Sequence, residues 1–188
     1  WQKRRVVMLR LLIIFFFSFF ILSANADNKE KIINNLKNTS NLSFKFEQNI
    51  NGKIESGNCT IEYPKKMHCS YEKNNKVLVS NGKSFVIKTL SSYYRYPLEK
   101  TPLNLILDKN FLINKIHSLE ERIIDNSYIS YSIIENENKI NVFFDIITLD
   151  LIGWQTKDIY QNTSLTLLGS ISKNQKNEKK IFRLPIQN

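Results

Sequence analysis

Glycine is scarce in this chain, five residues in 188, and cysteine and histidine number two each. So little glycine leaves no material for a loop that wraps its backbone around a phosphate. No Gly-x-Ser-x-Gly and no His-Glu-x-x-His run occurs, which removes the nucleophile-elbow hydrolases and the zinc peptidases. His68 and His117 stand far apart and the cysteines form no Cys-x-x-Cys, so a metal site lacks its ligand set. Glu120 and Glu121 are adjacent; on a strand they point apart and read as surface charge, not as an acid/base pair. His117, closing an apolar segment, reads as a cap or surface residue. No enzyme is expected, and no cofactor.

Long apolar runs are missing too, with one exception. Leu11 to Leu22 is interrupted only by Ser18, is preceded by Lys3, Arg4, Arg5 and Arg10, and is followed by Ser23-Ala24-Asn25-Ala26. A basic start, a short apolar core and an A-x-A ending describe a signal peptide cut after Ala26. The alternative, a membrane anchor, needs about 20 apolar residues. Residues 27–188 then form one exported domain. The formal charge of +10 falls to +6, because four of the 27 basic residues and no acidic one leave with the leader. That charge reads first as a solvated face and second as a preference for anionic membranes or acidic partners. No basic-aromatic stripe suits nucleic acid.

Ile32, Ile33 and Leu36 share one face of a helix that Asp27 or Asn28 can cap. From Leu42 the period changes to two, with Phe44 and Phe46 opposed to Ser43, Lys45 and Glu47. Asn51-Gly52 and Asn81-Gly82 are hairpin signals, bounding strands expected at 57–63, 67–71, 76–80 and 83–90. Thr101-Pro102 opens a short helix with Leu103, Ile106 and Leu107, and Asp108 caps a second with Phe111, Leu112 and Ile116. Alternation returns at 129–133 and 140–146, then around 151–155 and 165–168. A loop is expected at 174–180 and a last strand at 181–184. The fold class is mainly β: an antiparallel sheet curled around an apolar face that the short helices cover.

Cys59 and Cys69 sit in the stretch CTIEYPKKMHC. A hairpin centred on Pro64 sets Cys59 opposite Cys69, Ile61 opposite Met67 and Glu62 opposite Lys66. It puts Cys59, Ile61, Tyr63, Met67, Cys69 and Tyr71 on one face, a separation that a one-residue slip would scramble. Facing cysteines in an oxidising compartment favour a disulfide; two buried thiols, a metal site or a redox pair are the other readings.

Several stretches carry a family resemblance. Phe44-Lys45-Phe46-Glu47-Gln48 is similar to a first strand reading F-x-Q. Gly57 to Tyr71, with Tyr63-Pro64 and Met67, resembles a run of alternating apolar residues followed by R-P-x-x-[FM]. Leu78-Val79-Ser80-Asn81-Gly82-Lys83 resembles an L-[IV]-[SA]-D-G-x hairpin, and Thr101-Pro102-Leu103-Asn104-Leu105-Ile106-Leu107 a T-P-x-x-L-L helix. Trp154, Asp158, Asn162, Thr163 and Leu165 echo a W-x-x-x-D segment with the strand after it, and Phe182 and Pro185 close as F-x-x-P. In this order, over nearly all of residues 27–186, they resemble LolA, the periplasmic carriers of outer-membrane lipoproteins.

The resemblance implies an unclosed antiparallel β-barrel with a helical lid over a concave apolar face, in the periplasm of a Gram-negative bacterium. It implies lipoprotein acyl chains as ligand, an inner-membrane ABC transporter of the Lol system as donor, an outer-membrane acceptor, and a monomer. With the strand alternation, it makes Phe44, Phe46, Ile61, Met67, Tyr71, Val77, Val79, Phe85, Ile87 and Trp154 the acyl-chain lining, and Leu103, Ile106 and Leu107 the lid. The bland reading makes the same residues ordinary core. Tyr63 stands where the family has an arginine that governs lid closure, and one hydroxyl cannot replace five donors. The alternative function is a non-enzymatic envelope lipid-binding or stress-sensing protein on the same fold. The acceptor of the pathway is itself a lipoprotein, and no cysteine lies at the cut site here.

Overall fold

The computed structural model describes residues 27–136, 138–157 and 161–187; the leader read over residues 1–26 lies outside them. Helix α1 (Asp27–Asn38) leads into β1 (Asn41–Ile50), β2 (Lys53–Glu62), β3 (Lys66–Tyr71), β4 (Val77–Asn81), β5 (Ser84–Lys88) and β6 (Tyr93–Pro97). A 3-10 turn (Leu98–Lys100), α2 (Leu103–Ile106) and α3 (Lys109–Ser118) follow. The chain ends in β7 (Arg122–Ile124), β8 (Tyr128–Glu135), β9 (Asn138–Asp145), β10 (Leu151–Lys157), β11 (Thr163–Lys173) and a 3-10 turn (Lys179–Phe182).

All eleven strands form one sheet in the order β6-β5-β4-β3-β2-β1-β11-β10-β9-β8-β7, antiparallel at every pairing. The two edges, β6 and β7, do not pair with each other, so the barrel stays open. The segment between those edges carries α2 and α3, so the chain crosses the concave face as it passes from one edge to the other. Sheet curl and helical cover are thus made by one connection.

Local chemistry explains the turns. Asn51 (φ 50°) and Gly52 (φ 86°) both take the left-handed conformation that a two-residue hairpin needs. Asp108 accepts a hydrogen bond from the Phe111 amide at 3.1 Å and so caps α3 as expected. Thr101 behaves otherwise. Its hydroxyl donates back to the Leu98 carbonyl at 2.8 Å, and α2 has no side-chain cap.

Ile32 and Ile33 of α1 and Leu112 and Ile116 of α3 are fully buried against Phe44, Ile61, Met67, Tyr131, Val142 and Phe144 of the sheet. A polar clasp fixes α1. The Asn35 amide donates to Asp150 at 2.7 Å, and the Lys173 ammonium reaches both Asp150 (2.6 Å) and the Asn35 side-chain oxygen (2.9 Å). Three expectations change. β6 and β7 are additional edge strands, short and of little apolar contrast, and Pro97 is tolerated because an edge strand has a free side. Residues 181–184 form no strand; the Lys179–Phe182 turn buries Phe182 instead.

Candidate functional site

The β2–β3 hairpin has the register read from its residues: Cys59 opposite Cys69, Ile61 opposite Met67, Glu62 opposite Lys66. Cys59 and Cys69 are joined as a disulfide, buried in the floor of the sheet. Beside them, a Cβ on Gly57 would lie 2.1 Å from the Ser70 carbonyl oxygen and 2.8 Å from the Phe46 ring. Only glycine lets that ring fold across the strand, where it meets Tyr71 edge-on at 4.9 Å.

Helices fill one half of the concave face. The other half holds a hollow of about 480 Å³, within the roughly 300–1,000 Å³ of sites that take one small ligand. Leu78, Phe85, Ile87, Tyr96, Leu103 and Trp154 supply its apolar walls. Gln48, Thr156 and Ser164, on β1, β10 and β11, line another side, which Trp154 shares. A hydrogen-bonded chain braces that side: the Tyr71 hydroxyl donates to Gln48 at 3.0 Å, and the Gln48 amide donates to Ser164 and Thr166, both at 3.2 Å.

At the rim, Glu55 is held between Lys53 (3.2 Å) and Lys76. The Lys76 ammonium lies 3.7 Å from the centre of the Tyr71 ring. Burial alone would raise the Glu55 pKa; the Lys76 and Lys53 charges outweigh it and hold the carboxyl below its usual range. Burial, with the Glu55 charge behind it, pushes the Tyr71 phenol up. A carboxylate engaged on two sides and a phenol that keeps its proton make a packed polar wall. Among the described residues no cluster suits a metal ion.

The residues read as lining separate into three groups. Tyr71, Phe85, Ile87, Trp154 and Leu103 border the hollow. Phe44, Phe46, Ile61 and Met67 share the concave face but are buried in the core cluster and do not line the hollow, and Ile106 and Leu107 are fully enclosed in the core. Val77 and Val79 need correction. Val79 pairs with His68 and Val86, and Val77 with Ser70 and Lys88, all on the outer face. The hollow takes Leu78 instead, which pairs with Cys69 and Ile87. A signal for this existed: a hairpin loop with an even number of residues pairs odd positions with even ones. Once Phe85 and Ile87 face inward, Leu78 and Ser80 must do so too. Tyr94 and Tyr96 were missed with their strand.

Tyr63 lies outside the hollow, where the β2–β3 turn meets the helices. Its amide donates to the Ser40 carbonyl at 3.0 Å, and the Lys109 ammonium stands 5.8 Å from its ring centre. Its hydroxyl is buried without a hydrogen-bond partner among the described residues, and burial raises its pKa. Lys65, which sequence reasoning passed over, joins the roof to the sheet. Its amide donates to the Leu107 carbonyl at 2.8 Å and its ammonium pairs with Asp108 at 3.4 Å.

The model of the family described as outer membrane lipoprotein carrier protein LolA matches residues 37–185. Among solved structures, the chain is similar to an uncharacterized conserved protein from Thermus thermophilus. That protein is 6% identical, the match covers 86% of this chain and 95% of that one, and the TM-score is 0.50. A LolA superfamily protein from Nitrosomonas europaea is 7% identical over 86% of this chain and 99% of its own, with a TM-score of 0.43. A putative outer membrane lipoprotein-sorting protein domain from Vibrio parahaemolyticus is 8% identical over 84% and 97%, also at 0.43. None of the curated proteins matches the chain.

Proposed function

We propose, for a chain that belongs to the LolA family of outer membrane lipoprotein carrier proteins, that the roofed hollow shelters the acyl chains of lipoproteins while they cross water. The observation that carries the reading is a cavity of about 480 Å³ with apolar walls, roofed in part by Pro102 and Leu103. Burying lipid is worth about 0.8 kcal/mol per methylene, so a multi-chain anchor leaves a bilayer only for a comparably apolar site. No phosphate-binding loop is present to power extraction. The work comes from a partner, and the family resemblance supplies the route: the anchor is taken from an inner-membrane ABC transporter and handed to an outer-membrane acceptor, in the periplasm, after residues 1–26 are removed. The hollow is of one-ligand size, so several chains require the roof to lift, breaking the Lys65 ties to Leu107 and Asp108. Carriage involves no chemistry on the cargo.

The test is acyl dependence. Incubated with a lipidated lipoprotein in detergent, the protein should keep it soluble as a one-to-one complex once the detergent is removed. The same lipoprotein lacking its lipid should not bind. Equal binding of the two forms would refute the reading.

A further inference from the structure

Antiparallel pairing brings the β1–β2 turn (51–52), the β3–β4 turn (72–76), the β5–β6 turn (89–92) and the facing ends of β10 and β11 to one end of the sheet. The hollow reaches the same end, where Ile50, Lys76, Tyr94 and Lys157 are among its lining. Leu90, at the tip of the turn closed by the Thr89 amide on the Ser92 carbonyl (2.9 Å), is 82% exposed. Tyr94, which also borders the hollow, is 52% exposed.

Lysines are carried by the same turns and strand ends. The Lys53 side chain is 71% exposed, and Lys73 and Lys157 are exposed as well. With Lys76 and Lys88 they stand against two carboxylates among the described residues of these segments, Glu55 and Glu72. Glu55 is engaged by Lys53 and Lys76, and Glu72 accepts the Ser56 hydroxyl at 2.7 Å. A solitary exposed leucine is ordinary on a protein surface. This one lies in a turn at the end of the sheet that the apolar hollow reaches, an end that also carries several lysines. Apolar tips that enter the acyl boundary beside cations that meet lipid phosphates are how a protein seats itself on an anionic membrane.

We propose that this rim docks on an anionic bilayer surface, with Leu90 and Tyr94 entering the headgroup layer and Lys53, Lys73 and Lys157 on lipid phosphates. The hollow then opens toward the membrane. The proposal goes beyond the carrier reading and rests on it only for the purpose of docking, so the two can fail separately.

The experiment is co-sedimentation of the protein with vesicles of phosphatidylethanolamine and phosphatidylglycerol, and with vesicles of phosphatidylcholine alone. Binding is expected to the anionic vesicles only, and added salt should release it. Leu90→Ser should weaken it about tenfold, the loss of most of a leucine's transfer energy. Lys53→Gln and Lys73→Gln should weaken it about fivefold each. Ile147, 86% exposed in the β9–β10 turn at the opposite end, is the control, and Ile147→Ser should bind as the parent does. Equal binding to neutral vesicles, no vesicle binding, or an equal loss from Ile147→Ser would overturn the proposal. A fluorescent fatty acid in solution reads the hollow separately: Leu90→Ser should bind it normally, and its loss from the parent protein would count against the carrier reading alone.

Discussion

Leu103 and Ile106 lie three residues apart in the same short helix, and glutamate at each should give opposite outcomes. Ile106 is fully buried among core side chains; Leu103 is partly buried and borders the hollow. Ile106→Glu removes a buried aliphatic side chain, worth about 2–5 kcal/mol when truncated, and leaves a carboxylate with no partner. The protein should lose most of its stability, since domains of this kind hold only about 5–15 kcal/mol in total. Leu103→Glu should cost the fold about 1 kcal/mol, because the new carboxylate can turn toward solvent in the hollow. It should cost acyl binding about 2 kcal/mol, roughly half from lost apolar contact and the rest from a charge held against hydrocarbon. At about 1.4 kcal/mol per tenfold, affinity for a fluorescent fatty acid should fall about thirtyfold. Urea unfolding and a fatty-acid titration on the two variants make the comparison. If Leu103→Glu binds normally, or if Ile106→Glu is as stable as the parent, the placement of hollow and core is wrong.

Tyr63→Phe should hold or raise stability, by about 1 kcal/mol, because the deleted hydroxyl is buried without a partner among the described residues; a fall in melting temperature would reveal a hydrogen bond at that hydroxyl. Reducing Cys59–Cys69 should lower stability by about 2–3 kcal/mol through the freed unfolded chain, read as a shift in urea midpoint with and without dithiothreitol. His68 lies on the outer face, where burial holds its pKa below the ordinary 6.5. The unfolded chain therefore takes up the proton first, and stability should decline as the pH drops below about 6.5. His68→Gln should flatten that decline in a series of melting curves, and an unchanged slope would absolve the imidazole.

Where the sequence carries strict alternation, it was legible. The register of β2 and β3 followed from three mutually consistent pairs, two of them chemical opposites or like partners that a slip would separate. Asp108 and Asn51-Gly52 were readable because each performs a local task that its side chain or backbone is suited to. The site was less legible. Phe44, Ile61 and Ile106 look the same in a sequence as Phe85, Ile87 and Leu103, since whether an inward apolar residue meets a helix or an empty space depends on where α1 and α3 come to rest. Val77 and Val79 misled because β-branched residues favour either face of a strand, and the outer face here is itself covered in part, leaving Val79 2% exposed. Tyr94 and Tyr96 hid in a Tyr-Tyr-Arg-Tyr-Pro run with no alternation to reveal it.

β1 pairs with β2 on one side and with β11 on the other, so residues 42–50 pair with residues 164–173. The seam in the middle of the sheet is sewn between the first strand and the last. Neither half of the polypeptide can complete its inner margin until the other has been delivered, and such long-range pairing is slow to form. Until then two ragged borders stay sticky. A chain threaded through a translocation pore one end first would gain its shape only at the last moment of passage, and would need protection until then.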